Sequence, residues 1–441
     1  MSMVNIAQRV HNHNYKLDPI VRSLLDTDFY KLLMMQFIFK HYADIPVTFA
    51  LKNRTKSVRL TGDVSYADLR AQLDYVKNLR FTNTELIWLQ GNTFYGKVGM
   101  FEPEFINYLR TFQLPDYELN GSYDTSDNEA IHLEFKGTWL EVTLWEIYAL
   151  SIVNELRNRK AMERMSEFDL DIMYARAKTK LWAKFEKLKN LDGLNLTDFG
   201  TRRRHSFLWQ EWAVTAARAA LGDKFTGTSN AYLAMKHNLE AKGTNAHELP
   251  MVLATLAGND EELKQSQYKV LVKWQDTYDG ALLIALPDTF GTTQFLRDAP
   301  EWLNKWTGFR YDSKDPKTAG YETIEWWKSR GVDPKTKLGL FSDGLDADDI
   351  VELQNEFRGK MRVGFGWGTL LTNDFRGCHP NEELAASLAP ISLVCKVKEA
   401  NGRPAVKLSD NYTKATGTPE EIQRYRNVFG TDGVANAPVT V

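Results

Sequence analysis

Four short segments concentrate the residue types that hold anions and move phosphate. In DFGTRRRHSF, residues 198–207, three consecutive arginines offer planar, forked donors matched to phosphates and carboxylates. Such a run is equally a solvated charged surface. Side chains alternate along a strand, so only one or two of Arg202, Arg203 and Arg204 are expected to face one site. Phe199, just before them, either offers a flat face to an aromatic ligand or fills the core. GTSN (227–230) and GTNAHE (243–248) each end an apolar segment in Gly-Thr, presenting backbone N–H groups and hydroxyls that suit anions. The second carries His247, which on its own reads first as a structural histidine satisfied by hydrogen bonds, the more common case for a lone His. GFRYDS (308–313) sets Arg310 and Asp312 two apart, hence on one strand face. Arg310 can pair with a carboxylate and Asp312 can accept from sugar hydroxyls or join a magnesium shell, or the two form a plain salt bridge. FSDG places Asp343 at another strand end. GFGWGT supplies Gly364, Gly366 and Gly368, where a phosphate can approach the backbone, with Thr369 opening the next helix. That glycine pattern matches neither the P-loop nor the dinucleotide fingerprint.

Something must hold these segments together. Residues 20–42 predict a helix with a broad apolar face, capped by Asp26 or Asp28. VTFALKNRT predicts a strand ending in basic residues, and HLEFKGTWLEV alternates at period two, as a strand with one buried face does. Residues 144–189 are strongly helical in pattern. From about 194 to 400 the rhythm changes to apolar segment, polar turn, helix, repeated, which is the βα pattern of a parallel sheet. About seven or eight such units predict a closed or nearly closed barrel, with reactive groups at the carboxyl ends of the strands. The expected fold is α/β: an irregular TIM-like βα barrel over residues 141–385, adjoining an α/β sandwich built from residues 1–140 with 386–441. The polar tail after Gly417 is expected to fray.

Composition narrows the function classes. The chain has 441 residues, 55 Lys plus Arg against 57 Asp plus Glu, and a formal net charge of -2. Nothing global recruits nucleic acid or an anionic membrane, so any anion site is a local cluster. Two cysteines without metal spacing indicate neither a disulfide scaffold nor a structural zinc site. The N-terminal stretch lacks an apolar signal region, and LLMMQFIF is far short of the roughly 20 residues that span a bilayer. The expected location is the cytoplasm.

Taken in order, DFYKLLM (28–34), LKNRT (51–55), DFGTRRR, GTSN, GTNAHE, Asp288-Thr289, FRYDS, FSDGLD (341–346) and GFGWGT resemble the nicotinate phosphoribosyltransferase family. The likeness runs from about residue 20 to 410. It implies that ATP phosphorylates the histidine of the G-T-x-A-H motif, here His247, and that His205, outside the motif, does not take this role. Nicotinate and phosphoribosyl pyrophosphate (PRPP) then give nicotinate mononucleotide and pyrophosphate, the first step of NAD salvage from nicotinate. The resemblance assigns catalysis to His247, Arg310 and Asp312. It assigns the pyridine substrate to Tyr30, Phe199, Arg202, Thr228, Ser229 and Arg310, with Tyr30 and Phe199 sandwiching the ring. Ser229, where nicotinamide-using relatives carry an acid, favours the carboxylate substrate. Arg54, Asp288, Asp343, Gly366, Gly368, Thr369, Lys396 and Lys407 are assigned to PRPP and ATP phosphates, bridged by Mg2+. A homodimer in which Tyr30 and Arg54 reach a neighbour's site is one arrangement it allows. Trp367 has no assigned role. A nicotinamide or quinolinate phosphoribosyltransferase and a non-catalytic pyridine or sugar-phosphate sensor are the alternatives.

Overall fold

Two sheets of opposite character both contribute residues to one cavity. A computed structural model describes residues 18–120 and 131–437, so the N-terminal stretch read above for a signal region lies outside the described residues. Strands β1 (Pro46–Asn53), β2 (Thr93–Phe94), β3 (Lys97–Val98), β4 (Tyr117–Asn120) and β5 (His132–Thr138) come from the first third of the chain. Strands β6 (Leu196–Asp198), β7 (Phe225–Thr228), β8 (Ile284–Ala285), β9 (Gly308–Tyr311), β10 (Leu338–Phe341) and β11 (Arg362–Trp367) follow. The last are β12 (Leu393–Ala400) and β13 (Arg403–Pro404).

The first sheet is antiparallel, in the order β13-β12-β1-β5-β4, so a late segment returns to pair with β1. ISLVCKVK therefore belongs to this sheet and not to the βα series. The second sheet is parallel throughout, in the order β7-β6-β11-β10-β9-β8. It is a barrel wall of six strands rather than seven or eight. Between β7 and β8, residues 240–247 replace a strand. Ala241 makes a single parallel bridge to Thr228, and Asn245 Nδ2 donates to the Ile284 carbonyl at 3.2 Å. The sheet is not closed by strand pairing; the loop that carries the GTNAH segment lies between its two edge strands.

The helix expected over 20–42 runs only from Phe29 to His41. Asp28 stands at its N-cap but makes no side-chain cap, and Asp26 is bound elsewhere; both acids are taken by arginines of the 202–204 turn. The helical stretch 144–189 is two helices, Trp145–Met162 and Glu167–Leu188, the second begun by a capping box at Ser166 and Asp169. One continuous apolar core joins both sheets. The tail does not fray where expected: Pro419–Phe429 is a helix whose Tyr425 and Phe429 pack on Phe290 and Val406. A polar sequence with one apolar face at helical spacing is amphipathic, not loose. Among the described residues no helix is long and apolar enough to cross a membrane.

Candidate active site

Five of the parallel strands end toward one cavity of about 150 Å³, and the antiparallel sheet roofs it. The residues that follow β6, β7, β9, β10 and β11 supply Phe199, Ser229, Asp312, Asp343, and Gly368 with Thr369. The first turn of the Phe29–His41 helix supplies Tyr30, the end of β1 supplies Arg54, and β12 supplies Lys396. Tyr30 and Arg54 reach the cavity of their own chain, so no neighbour is needed to bring them.

The arginine run is not a strand. Thr201–Arg203 form a 3-10 turn, which rotates successive side chains by about a third of a circle instead of alternating them. Arg202 and Arg203 therefore both line the cavity, whereas Arg204 is fully buried and holds Asp26 through two bonds of 2.6 and 2.7 Å. Cations outnumber their partners here. Burial, followed by repulsion from Arg202 and Arg54, pulls Arg203 down to about 10. Burial and then Lys407 and Arg54 hold Lys396 well below the ordinary lysine range. Such crowding costs free energy until an anion enters. Arg310, on β9, donates to the Asn245 carbonyl at 3.2 Å, and its Nε is buried without a partner.

His247 faces a smaller adjoining cavity that shares Tyr30, Glu146, Arg202, Arg310, Asp312 and Lys396 with the first. Its Nδ1 lies 2.9 Å from Thr289 Oγ1, and its Nε2 lies 2.9 Å from both Asp312 Oδ2 and Lys407 Nζ. With an acceptor and a donor at equal distance, Nε2 can direct a proton to the carboxylate or accept from the ammonium, and the Thr289 hydroxyl can turn to suit either tautomer. Burial lowers the imidazole to about 4, so it is neutral at physiological pH. Burial alone would raise Asp312, but the His247 hydrogen bond and the Arg310 charge overcome it and hold the carboxyl well below its usual range.

Three expected residues lie away from the cavity. Thr228 is fully buried, and its hydroxyl donates to Asp198 at 2.7 Å and accepts from the Asn230 amide at 3.0 Å, so it braces the turn that presents Ser229. Asp288 sits behind His247, accepting from Ser313 at 2.5 Å and Lys407 at 3.3 Å. Gly366 does not line the cavity: a Cβ there would lie 2.2 Å from the Phe199 ring, so its missing side chain is what seats that ring. Trp367 points to the opposite strand face, where its indole donates to the Leu345 carbonyl at 3.0 Å. Gly243 serves in the same way as Gly366, since a Cβ there would lie 2.7 Å from the Tyr30 amide nitrogen.

Other site residues were not assigned to the site from the sequence. Asp28 accepts from Ser229 Oγ at 2.6 Å and lies 3.3 Å from Arg202 Nε, so Ser229 does not stand alone in deciding charge at that end. Glu146 comes from mid-pattern in a helix, and Lys414, paired with Asp343, comes from the short 3-10 turn Tyr412–Lys414. Asp28 opens the DFYKLLM segment, whereas Glu146 and Lys414 lie outside every motif, which hides them.

His205 is a core residue. Its ring stacks on Phe375 with centroids 3.7 Å apart, and Nε2 lies 3.2 Å from the Tyr174 hydroxyl. Burial lowers it from 6.5 to about 3. A lowered folded-state value means the unfolded chain binds the extra proton, so this stabilisation is complete above about pH 6.5 and is lost as pH falls toward about 3. The stability gap between wild type and His205→Gln is therefore expected to narrow by about 3 kcal/mol from about pH 7 to about pH 4, as read by denaturant titration at each pH. A gap that is constant with pH would mean the imidazole is not held neutral by the fold.

A family model described as the nicotinate phosphoribosyltransferase (NAPRTase) family matches residues 194–432, and the N-terminal domain model of that family matches residues 25–154. Among solved structures, the chain is similar to a nicotinate phosphoribosyltransferase from Vibrio cholerae, with 31% identity, a TM-score of 0.83 and 96% of each chain covered. It is similar to one from Porphyromonas gingivalis at 26% identity and TM-score 0.80, over 93% of this chain and 100% of that one. A putative nicotinate phosphoribosyltransferase from Saccharomyces cerevisiae gives 26% and 0.79, over 95% of this chain and 100% of that one.

Proposed function

The chain belongs to the nicotinate phosphoribosyltransferase family, and from that premise we propose that it joins nicotinate to PRPP and hydrolyses ATP through a phosphorylated His247. The observation that carries this reading is the cluster of cations without anionic partners, Arg203, Arg310 and Lys396, gathered beside Tyr30, Phe199 and a neutral histidine.

Each role follows from the chemistry of its group. Tyr30 and Phe199 give the pyridine ring aromatic contact, with Gly366 seating Phe199. Arg310 takes the carboxylate with its forked donors. Arg54, Arg203, Lys396 and Lys414 hold the phosphate groups of PRPP, aided by the backbone at Gly368 and by Thr369. The pyridine nitrogen attacks the ribose anomeric carbon while the bond to pyrophosphate breaks with its electron pair. Asp312, ionised beside that carbon, accepts from the ribose hydroxyls and offsets the positive charge that grows on the sugar.

For the ATP step, the His247 tautomer that keeps its proton on Nδ1 and donates it to the Thr289 hydroxyl leaves the Nε2 lone pair free. Nε2 attacks the γ-phosphorus, the bond to the β–γ bridging oxygen breaks with its electron pair, ADP leaves, and the proton stays on Nδ1 against Thr289. Water later cleaves the N–P bond and restores the histidine. Lys407 stands against Nε2 and can neutralise the transferred phosphoryl oxygens. His247, Asp288 and Asp312 are near enough together to hold a metal ion. The Lys407 ammonium, however, lies 2.9, 3.3 and 3.8 Å from their ligand atoms. That charge disfavours a dication there, so Mg2+ does not fit this cluster and is assigned to the substrate phosphates. The cytoplasmic setting expected from composition belongs to this reading.

One observation favours nicotinamide: Asp28 beside Ser229 puts an acid where an amide could donate. Both of its oxygens are already engaged, by Ser229 and Thr201 hydroxyls and by Arg202. The test is mononucleotide formation by the purified chain from nicotinate or nicotinamide, with PRPP and magnesium, with and without ATP. Product from nicotinate, rising sharply with ATP, supports the proposal. Product from nicotinamide alone would transfer the substrate assignment to the amide, and ligand binding without product would leave a sensor.

A further inference from the structure

One fully buried cation takes no part in the steps above. Lys31 follows Tyr30 in the first turn of its helix and has no exposed surface. Its ammonium lies 2.6 Å from Glu146 Oε2, pairs with Glu248 Oε2, and is 3.4 Å from Thr143 Oγ1. The other Glu248 oxygen accepts from Trp139 Nε1 at 2.6 Å and from Thr143 at 2.7 Å. Glu248 is the residue after His247 and opens the helix at whose N-cap His247 stands. Glu146 lines both cavities and lies 3.8 Å from Arg202, which lies 3.3 Å from Asp28.

Asp28, Arg202, Glu146, Lys31 and Glu248 thus form a row of alternating charge. It runs from the wall that carries Tyr30 and Ser229 to the loop that carries His247. Assembling buried ions is costly, and an apolar replacement of similar size would usually serve stability as well. What the ions add is a defined geometry between two elements far apart in sequence. The loosest contact in the row, Arg202 to Glu146, joins two residues that both line the cavity, so it is the contact an incoming ligand can alter most easily. A ligand shifts a distant group only through contacts that differ between the two states, and this row supplies them.

We propose that Lys31 is a positioning residue that couples occupancy of the pyridine end of the cavity to phosphorylation at His247. The inference rests on the phosphohistidine reading above. Without Lys31, Glu248 loses its tie to the Tyr30 helix, and ATP is consumed whether or not the pyridine site is filled.

The test compares wild type with Lys31→Met and Lys31→Arg at saturating substrates, measuring ADP and mononucleotide in the same reaction. The ADP-to-mononucleotide ratio is expected to rise by about fivefold or more in Lys31→Met, within the usual range of site-to-site coupling, and to return toward wild type in Lys31→Arg. Should Lys31→Met fail to fold, Glu248→Gln keeps the volume, weakens the same link, and is expected to raise the ratio in the same direction. Both rates falling together at an unchanged ratio would overturn the proposal, because a merely structural lysine behaves that way. If wild type itself makes no ATP-dependent product, the functional reading fails first, and this proposal fails with it.

Discussion

His247→Ala is expected to fold and to lose ATP-dependent mononucleotide synthesis by on the order of 10³-fold or more, about 4 kcal/mol of barrier. The fold survives because Lys407 keeps Asp288 and Asp312 as ion partners at 3.3 and 3.8 Å, so no buried charge is stranded. What is lost is the group proposed to accept the γ-phosphoryl. The wild-type protein should incorporate label from γ-labelled ATP into an acid-labile, alkali-stable phosphoprotein, and the variant should not. The pH dependence has a definite sign. Burial sets the imidazole at about 4, so the nucleophilic neutral form dominates from about pH 8 down to about pH 5, and the phosphorylation rate falls as pH approaches 4. An ordinary histidine would already lose half its rate near pH 6.5. Label retained in His247→Ala, or a fall in rate centred near pH 6.5, would refute the assignment.

Arg310→Ala is expected to raise the nicotinate concentration for half-maximal rate by on the order of 10²–10³-fold, about 3–4 kcal/mol, while the PRPP value moves by less than about tenfold. Arg310 is placed for this by what it lacks. Its one hydrogen bond is to a carbonyl, and its Nε is buried without a partner. Arg310 also lowers Asp312, so its loss should bring a smaller fall in kcat as that carboxyl rises. Lys restores charge without the fork, so Arg310→Lys should recover part of the loss. If only the PRPP value changed, Arg310 would be a phosphate ligand, and the carboxylate would have to be held by another group.

Much of the site could be read from one dimension because its parts are local. A strand followed by a polar turn puts its chemistry at the carboxyl end, so Phe199, Arg202, Ser229, Arg310, Asp312, Asp343, Gly368 and Thr369 could be found as turn residues after apolar runs. The glycine pairs were visible too, but not their purpose. That Gly366 makes room for a ring and Gly243 for a helix start depends on what comes to lie against them, and those neighbours are 167 or more residues away.

The sequence by itself determined the α/β class and the order of the polar turns, because periodicity and turn chemistry act over a few residues; the choice of His247 came only from the family resemblance. Only the tertiary structure decided which charges are free. Asp26, Asp28, Arg202 and Arg204 look alike in a chain, and so do His205 and His247. Long-range pairing commits Arg204 to Asp26, whereas Arg310 makes no ion pair within 4 Å among the described residues and acts on Asp312 only at longer range. Burial against Phe375 makes one histidine part of the core, while the other is turned toward a cavity by a loop that stands in for a missing strand. Ionisation and availability depend on every group within a few ångströms, and in this fold those groups come from segments hundreds of residues apart.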